Sequence, residues 1–268
     1  MRPLPRRVYI AVAVVACAAI AAFGVAIAVA PFHARLVTWL MAGEIAVAAA
    51  ASLLMPVPLA TRTLHYVTTT PILLAAVLLP APLAMAEVML VWIATDQVRR
   101  MDRAAPRPIP WVETAFNAAK TVLRVGVGAV VFRGVSSVPL VAGALSDRVL
   151  LAVVAAGVAM YLTNQLLVHG IVSVQSGRWR LAALVRLARV DLMQDASLLL
   201  LGVLGAIIAG RAPLAIAVPL ALTMVIQREL LRARGDTLVD LVNTDEAPRA
   251  TEAARGTAPL TAMFWWAS

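Results

Sequence analysis

The chain has 268 residues, of which 62% are hydrophobic and only 14% are charged. An average soluble domain has about 45–50% apolar and about 25% charged residues, so this composition excludes a soluble globular protein. The net charge of +9 is typical of basic loops that face an anionic lipid leaflet, and we expect no nucleic-acid partner.

Eight apolar segments are predicted to be helical, because the backbone inside a membrane must satisfy its own hydrogen bonds. The sequence therefore predicts an all-α, polytopic membrane bundle with about eight, and at least six, transmembrane helices. The third and fourth segments are short and meet at Pro80 and Pro82, so they are either two spans or one broken hairpin. In chain order the segments are Val8–Ala30, Leu36–Ala60, Leu64–Leu79, Ala81–Thr95, Val112–Phe132, Val149–Val174, Leu192–Ala209 and Ala212–Ile226.

The arginines between these segments predict the orientation. With the N-terminus in the cytoplasm, most basic residues fall on the inner side, and only Arg35, Arg133, Arg148 and Arg211 fall on the outer side. Basic residues concentrate in cytoplasmic loops. We therefore predict a multi-pass protein of the cell inner (plasma) membrane with both termini in the cytoplasm.

The composition also divides the chain. Residues 1–229 are predicted to form one transmembrane domain. Residues 230–243 carry alternating charged and apolar side chains, and we expect a cytoplasmic stalk that continues the last helix to about Arg234. Residues 244–268 are predicted to be a disordered tail.

The fifth segment carries a polar stripe at three- and four-residue spacing, formed by Glu113, Asn117, Lys120, Arg124 and Gly128. Arg124 falls near the middle of the span, where an unpaired charge costs at least about 2.5–3.5 kcal/mol. We therefore expect it to face the bundle and to pair with Glu87, or failing that with Glu44. The stripe is the lining of a ligand site, or a structural ion pair that fixes helix packing, or part of a shifted segment in which Lys120 reaches the membrane surface.

The sixth segment has polar side chains at Tyr161, Asn164, Gln165 and His169. Such side chains either bridge helices by hydrogen bonds or complete a pocket with Arg124. The ligand-binding residues predicted on the second interpretation are Glu87, Asn117, Lys120, Arg124, Asn164 and Gln165.

Motifs for catalysis are not found in the sequence. It has no glycine-rich phosphate loop, no G-x-S-x-G elbow and no Ser/His/Asp grouping on one membrane face. Its three histidines lack any metal-binding motif, and its single cysteine, Cys17, excludes a CxxC site. We predict no enzyme activity, no catalytic or metal-binding residue and no cofactor.

Several short motifs together resemble the MASE-like multi-helix membrane sensor regions that precede GGDEF or HD-GYP domains in bacterial cyclic-di-GMP signalling proteins. Phe116-Asn117-Ala118-Ala119-Lys120 looks like the F-N-x-x-q segment of that group, and Tyr161-x-x-Asn164 fits the same layout. The stretch 236–243 resembles the D-x-L-T-G-L-x-N that opens a GGDEF domain. Asp236, Leu238, Leu241 and Asn243 match it. Val239 and Asp240 do not, nor does Thr244, which stands where the arginine after that motif would be, and no GGDEF signature follows.

The resemblance implies a membrane-embedded sensory domain without catalytic output of its own. Its partners would be the lipid bilayer, a second copy of the chain in a homodimer and a cytoplasmic output protein. The alternative is a small-solute transporter or its membrane substrate-binding subunit. Prolines that break the spans, such as Pro56, Pro58 and Pro71, and the intramembrane charges favour that alternative.

Overall fold

The computed structural model describes residues 4–29, 35–55, 57–60, 63–65, 68–101, 110–136, 146–177, 196–226 and 228–229. These residues are helical apart from one short hairpin. The helices are α1 (Arg6–Val29), α2 (Leu36–Leu54), α3 (Thr69–Leu78), α4 (Ala81–Met101), α5 (Trp111–Val135), α6 (Asp147–Ser176), α7 (Ala196–Ala209) and α8 (Pro213–Ile226). The predicted stalk beyond residue 229, the tail and the GGDEF-like stretch lie outside the described residues.

Five of these helices, α1, α2, α4, α5 and α6, are long and apolar enough to cross a membrane. The helices α3, α7 and α8 are apolar but shorter. The helical membrane-protein class predicted from the composition therefore agrees with the structure. The residues between the helices explain the breaks, because prolines stand at Pro56, Pro58, Pro80 and Pro110 and proline disfavours continuation of a helix.

The expectation that every apolar segment is helical is wrong at residues 57–60 and 64–65. Helix α2 ends at Leu54, and the chain forms two antiparallel strands, β1 (Val57–Ala60) and β2 (Thr63–His65), with Val57 opposite His65. The sequence explains this end of α2, because a residue that precedes a proline disfavours helical backbone and Met55 precedes Pro56. Helix α3 consequently begins only at Thr69, and all ten of its residues are buried.

Helix α5 is the central helix of the bundle and packs against α1, α3, α4 and α6. In the most apolar 18-residue stretch of α5, 67% of the residues are buried. In the corresponding stretch of α1, 11% are buried. Helix α1 instead exposes large apolar side chains such as Ile20 and Val25, as a helix on the lipid-facing side does. Most of the polar side chains of α5 are thus held inside protein.

Small residues let the helices approach closely around α3. A Cβ placed on Gly128 of α5 would lie 3.2 Å from Ala76 of α3 and 2.5 Å from the Sδ atom of Met160 of α6. A Cβ on Gly202 of α7 would lie 2.8 Å from Leu73. These contacts place α3 between α5, α6 and α7, as small residues do in membrane bundles.

One end of the bundle is formed by the start of α1, the start of α5 and the end of α6. Val8, Val12, Phe116 and Ile171 form one apolar cluster there. Nearby, the Arg7 guanidinium donates a 3.1 Å hydrogen bond to the carbonyl oxygen of Gln175. At the opposite end of α5 and α6, the Arg148 Nε donates to the carbonyl of Val135 at 2.7 Å.

Candidate functional site

The polar stripe predicted on α5 is buried except at Glu113, which is partly exposed. Lys120 is 2% exposed and Arg124 is 6% exposed, and Asn117 is also buried. The Lys120 Nζ lies 5.9 Å from the centre of the Phe116 ring, and the Thr121 hydroxyl donates to the carbonyl of Asn117 at 2.8 Å. Two cations of one helix therefore lie close together inside the bundle.

Helix α6 supplies the other side of this cluster. Gly128 packs on Met160, and Phe116 clusters with Ile171, so α5 and α6 run antiparallel with Asn164 level with Arg124. Asn164 shares the face of Met160, which packs on α5. Gln165 lies one residue further round α6, and both Asn164 and Gln165 are half-buried.

Among the buried polar atoms of this region that lack a hydrogen-bond partner within the described residues are Oδ1 of Asn117, Oδ1 of Asn164 and Nε2 of His169. A buried polar atom without a partner costs about 1–3 kcal/mol. Such atoms commonly mark places where a water molecule or a ligand binds. We call Asn117, Lys120, Arg124, Asn164 and His169 the α5–α6 cluster.

The expected pairing of Arg124 with Glu87 is wrong. Neither carboxylate oxygen of Glu87 has a hydrogen-bond partner among the described residues. Met85 packs against Gly126, and Asp96 bonds to Thr114, so α4 and α5 run antiparallel with Glu87 at the depth of Arg124. The two side chains face different sides, because Glu87 lines a cleft formed by α1, α2 and α4.

The expected alternative pairing of Arg124 with Glu44 is also wrong. Its Oε2 atom has no hydrogen-bond partner within the described part of the chain. Glu44 lies on α2, and α2 packs chiefly on α3, α4 and α8. The sequence placed Arg124 and Glu87 inside the bundle, as the structure does, but not on the separate helix faces that they occupy.

A buried network that the sequence analysis missed lies at the end of α4. The Thr114 hydroxyl donates to Oδ2 of Asp96 at 2.7 Å, and the Arg100 guanidinium donates to the same hydroxyl oxygen. Arg99 forms a 3.6 Å ion pair with Asp96, and Arg100 stacks 3.6 Å from the centre of the Trp111 ring. The predicted fourth segment ended at Thr95, so Asp96 was placed in a loop. The spacing of Asp96 to Arg99 and Arg100, three and four residues on, was the available signal.

The α5–α6 cluster contains two cations, two amides and an imidazole, which suits an anion rather than a metal ion. Within the part of the chain that the structure describes, no group of three or more His, Cys, Asp or Glu side chains is placed to hold a metal. Lysine and arginine held inside protein bind carboxylate or phosphate oxygens by charge-assisted hydrogen bonds. The cluster therefore supplies the kinds of donor group that an anionic ligand would need.

Comparison with protein-family models, with curated proteins and with solved structures finds no match to this chain. The resemblance to MASE-like sensor regions therefore remains a prediction from short motifs.

Proposed function

We propose that the protein is a membrane-embedded sensory domain that binds a small anionic ligand in the α5–α6 cluster and has no catalytic output of its own. The observation that carries this proposal is the burial of Lys120 and Arg124 in the central helix of the bundle. Intramembrane charges are costly, and they usually mark a ligand or ion site. The unpartnered amide oxygens of Asn117 and Asn164 support the same site.

In this proposal the protein has six to eight spans in the inner membrane of a bacterium, with both termini in the cytoplasm. The positions of the arginines support this orientation. Arg7, Arg99 and Arg100 lie at the ends of helices predicted to be cytoplasmic, and Arg148 lies at an end predicted to be external. Basic residues on the cytoplasmic side follow the positive-inside rule.

Signalling would use the position of α5. Because α5 packs against α1, α3, α4 and α6, a ligand that draws Arg124 and Asn164 together would shift several helices at once. The output partner would be a cytoplasmic cyclic-di-GMP protein, and the working unit a homodimer. This part of the proposal rests on the resemblance of 116–120 and 236–243 to sensor regions.

Ligand binding is tested with the purified protein in lipid nanodiscs, using inorganic phosphate and acetate as probes. We expect one of these anions to raise the melting temperature above that in chloride at equal ionic strength, because a ligand that binds only the folded state stabilises it. Arg124→Ala and Asn164→Ala should abolish this rise. Arg133→Ala, at an exposed position on the same helix, is the matched control and should keep it. If no anion raises the melting temperature of the wild type, an anionic ligand is contradicted.

Signalling is tested by expressing the chain in a bacterium and measuring cellular cyclic-di-GMP. We expect the wild-type chain to change that level and Arg124→Ala not to do so. The purified chain should neither make nor hydrolyse cyclic-di-GMP, and turnover by it would contradict the proposal.

A small-solute transporter is the second candidate, and the short helix α3 favours it. Helix α3 has ten residues, follows a hairpin and is buried throughout, and broken helices of this kind form substrate sites in transporters. Uptake of labelled phosphate or acetate into liposomes containing the purified protein would favour transport over sensing. The absence of uptake, together with anion-dependent stabilisation, would favour the sensor.

A further inference from the structure

A second buried charge lies away from the α5–α6 cluster. Glu87 lines a cleft of about 770 Å³ between α1, α2 and α4. Trp39 and Leu90 line the same cleft and are half or more exposed, so the cleft opens on the outer surface of the bundle. Its volume lies within the range of about 300–1,000 Å³ that is usual for small-molecule sites.

The chemistry of the cleft is one carboxylate surrounded by apolar side chains. Glu87 is 8% exposed, and neither of its carboxylate oxygens has a hydrogen-bond partner in the described ranges. The other described residues that line the cleft are apolar, and none carries a positive charge: Phe23, Ile27, Trp39, Ala42, Gly43, Ala46, Pro82, Leu83, Ala86 and Leu90.

This arrangement favours a ligand that is both positively charged and apolar. A carboxylate in apolar surroundings is costly unless a proton or a cation neutralises it. A lipid chain would cover the apolar walls but leave Glu87 without a partner. An organic cation with an apolar body would satisfy both, and the aromatic rings of Phe23 and Trp39 would add cation–π attraction.

We propose that the cleft between α1, α2 and α4 is a binding site for lipophilic organic cations, such as quaternary ammonium or phosphonium compounds, with Glu87 as the counter-ion. This site is separate from the α5–α6 cluster, and the inference does not depend on the proposed sensory function. The two sites take ligands of opposite charge, so the failure of one does not affect the other.

The test measures binding of tetraphenylphosphonium to the purified full chain in nanodiscs by equilibrium dialysis. Tetraphenylborate, which has the same shape and the opposite charge, is the matched ligand control. We expect the wild type to bind the phosphonium and not the borate. Glu87→Gln should bind the phosphonium at least about tenfold more weakly, because it removes the charge and keeps the shape. Glu44→Gln, on α2 outside the cleft lining, should bind as the wild type does.

A second pair of variants fills space without touching the carboxylate. Gly43 lines the cleft, and a Cβ placed there meets nothing within 4 Å, so Gly43→Phe should fold and block binding. A Cβ on Gly24 of α1 also meets nothing within 4 Å, and Gly24 is not among the lining residues. Gly24→Phe is therefore the control and should bind normally.

Three results would overturn this inference. They are wild-type affinity in Glu87→Gln, equal binding of the borate and the phosphonium, and the absence of phosphonium binding to the wild type. Equal binding of both ions would show that the cleft recognises apolar surface alone, as a lipid-binding groove does.

Discussion

Asp96 and Glu87 are two buried carboxylates on the same helix, α4, with opposite surroundings. Asp96 accepts a hydrogen bond from Thr114 and forms an ion pair with Arg99. Glu87 has no hydrogen-bond partner among the described residues and faces an apolar cleft. Burial alone therefore does not distinguish a structural charge from a ligand site. The hydrogen-bond and ion-pair partners of the buried carboxylate make that distinction.

The difference follows from where each residue lies along the helix. Asp96 is close to the end of α4, where Arg99, Arg100 and the first turn of α5 bring donors within reach. Glu87 is nine residues earlier, at a depth where its neighbours on α1 and α2 are apolar. We expect Asp96 to stabilise the packing of α4 on α5, and we expect Glu87 to be available to a ligand. The following predictions test this contrast in order of decreasing effect.

Asp96→Ala is expected to lower the free energy of unfolding by about 3 kcal/mol, because it breaks a buried charge pair and leaves its partners without an acceptor. Reversible unfolding in mixed detergent micelles measures this change. Glu44→Ala, a carboxylate without the Asp96 partners, is the control. If Asp96→Ala costs no more than the control, the network does not hold α4 and α5 together.

Thr114→Val should cost about 1.5 kcal/mol, because it removes the hydroxyl that donates to Asp96 and accepts from Arg100. Its effect should not add to that of Asp96→Ala, since both substitutions break the same network. A double-mutant cycle measures the coupling between them. Additive effects would contradict a shared network.

Glu87→Leu is expected to raise the free energy of unfolding by about 1 kcal/mol, because it removes a buried polar group without a partner and keeps a side chain of similar length. The same unfolding assay, without added ligand, measures this gain. A loss of stability as large as that of Asp96→Ala would show that Glu87 has a structural partner.

Arg7→Ala gives the smallest expected effect, a loss of about 0.5 kcal/mol, because an exposed cation at a helix C-terminus contributes only modestly. Arg7 donates to the carbonyl of Gln175 in the last turn of α6. Arg6→Ala, one residue earlier and also exposed, is the control. A loss above 2 kcal/mol would show that exposed charges stabilise this bundle as strongly as the buried Asp96.

The sequence predicted the membrane class, the polar stripe of α5 and the burial of Arg124, because a charge in the middle of a span is costly unless it faces protein. It left open whether Lys120 is buried, and the structure buries it. It did not predict that Glu87 faces away from Arg124. Periodicity places residues on one helix, but the rotation of α4 about its own axis is set by packing, here by Met85 on Gly126. The strands at 57–65 were missed because hydropathy does not distinguish a short apolar strand from a helix.

The contrast between Asp96 and Glu87 is tested most directly by the melting temperature of three proteins with and without tetraphenylphosphonium. The wild type should be stabilised by the cation. Asp96→Ala should begin at a lower melting temperature and rise by the same amount, since its cleft is intact. Glu87→Gln should begin no lower than the wild type and should not respond. Stabilisation of Glu87→Gln to the same extent as the wild type would contradict the account.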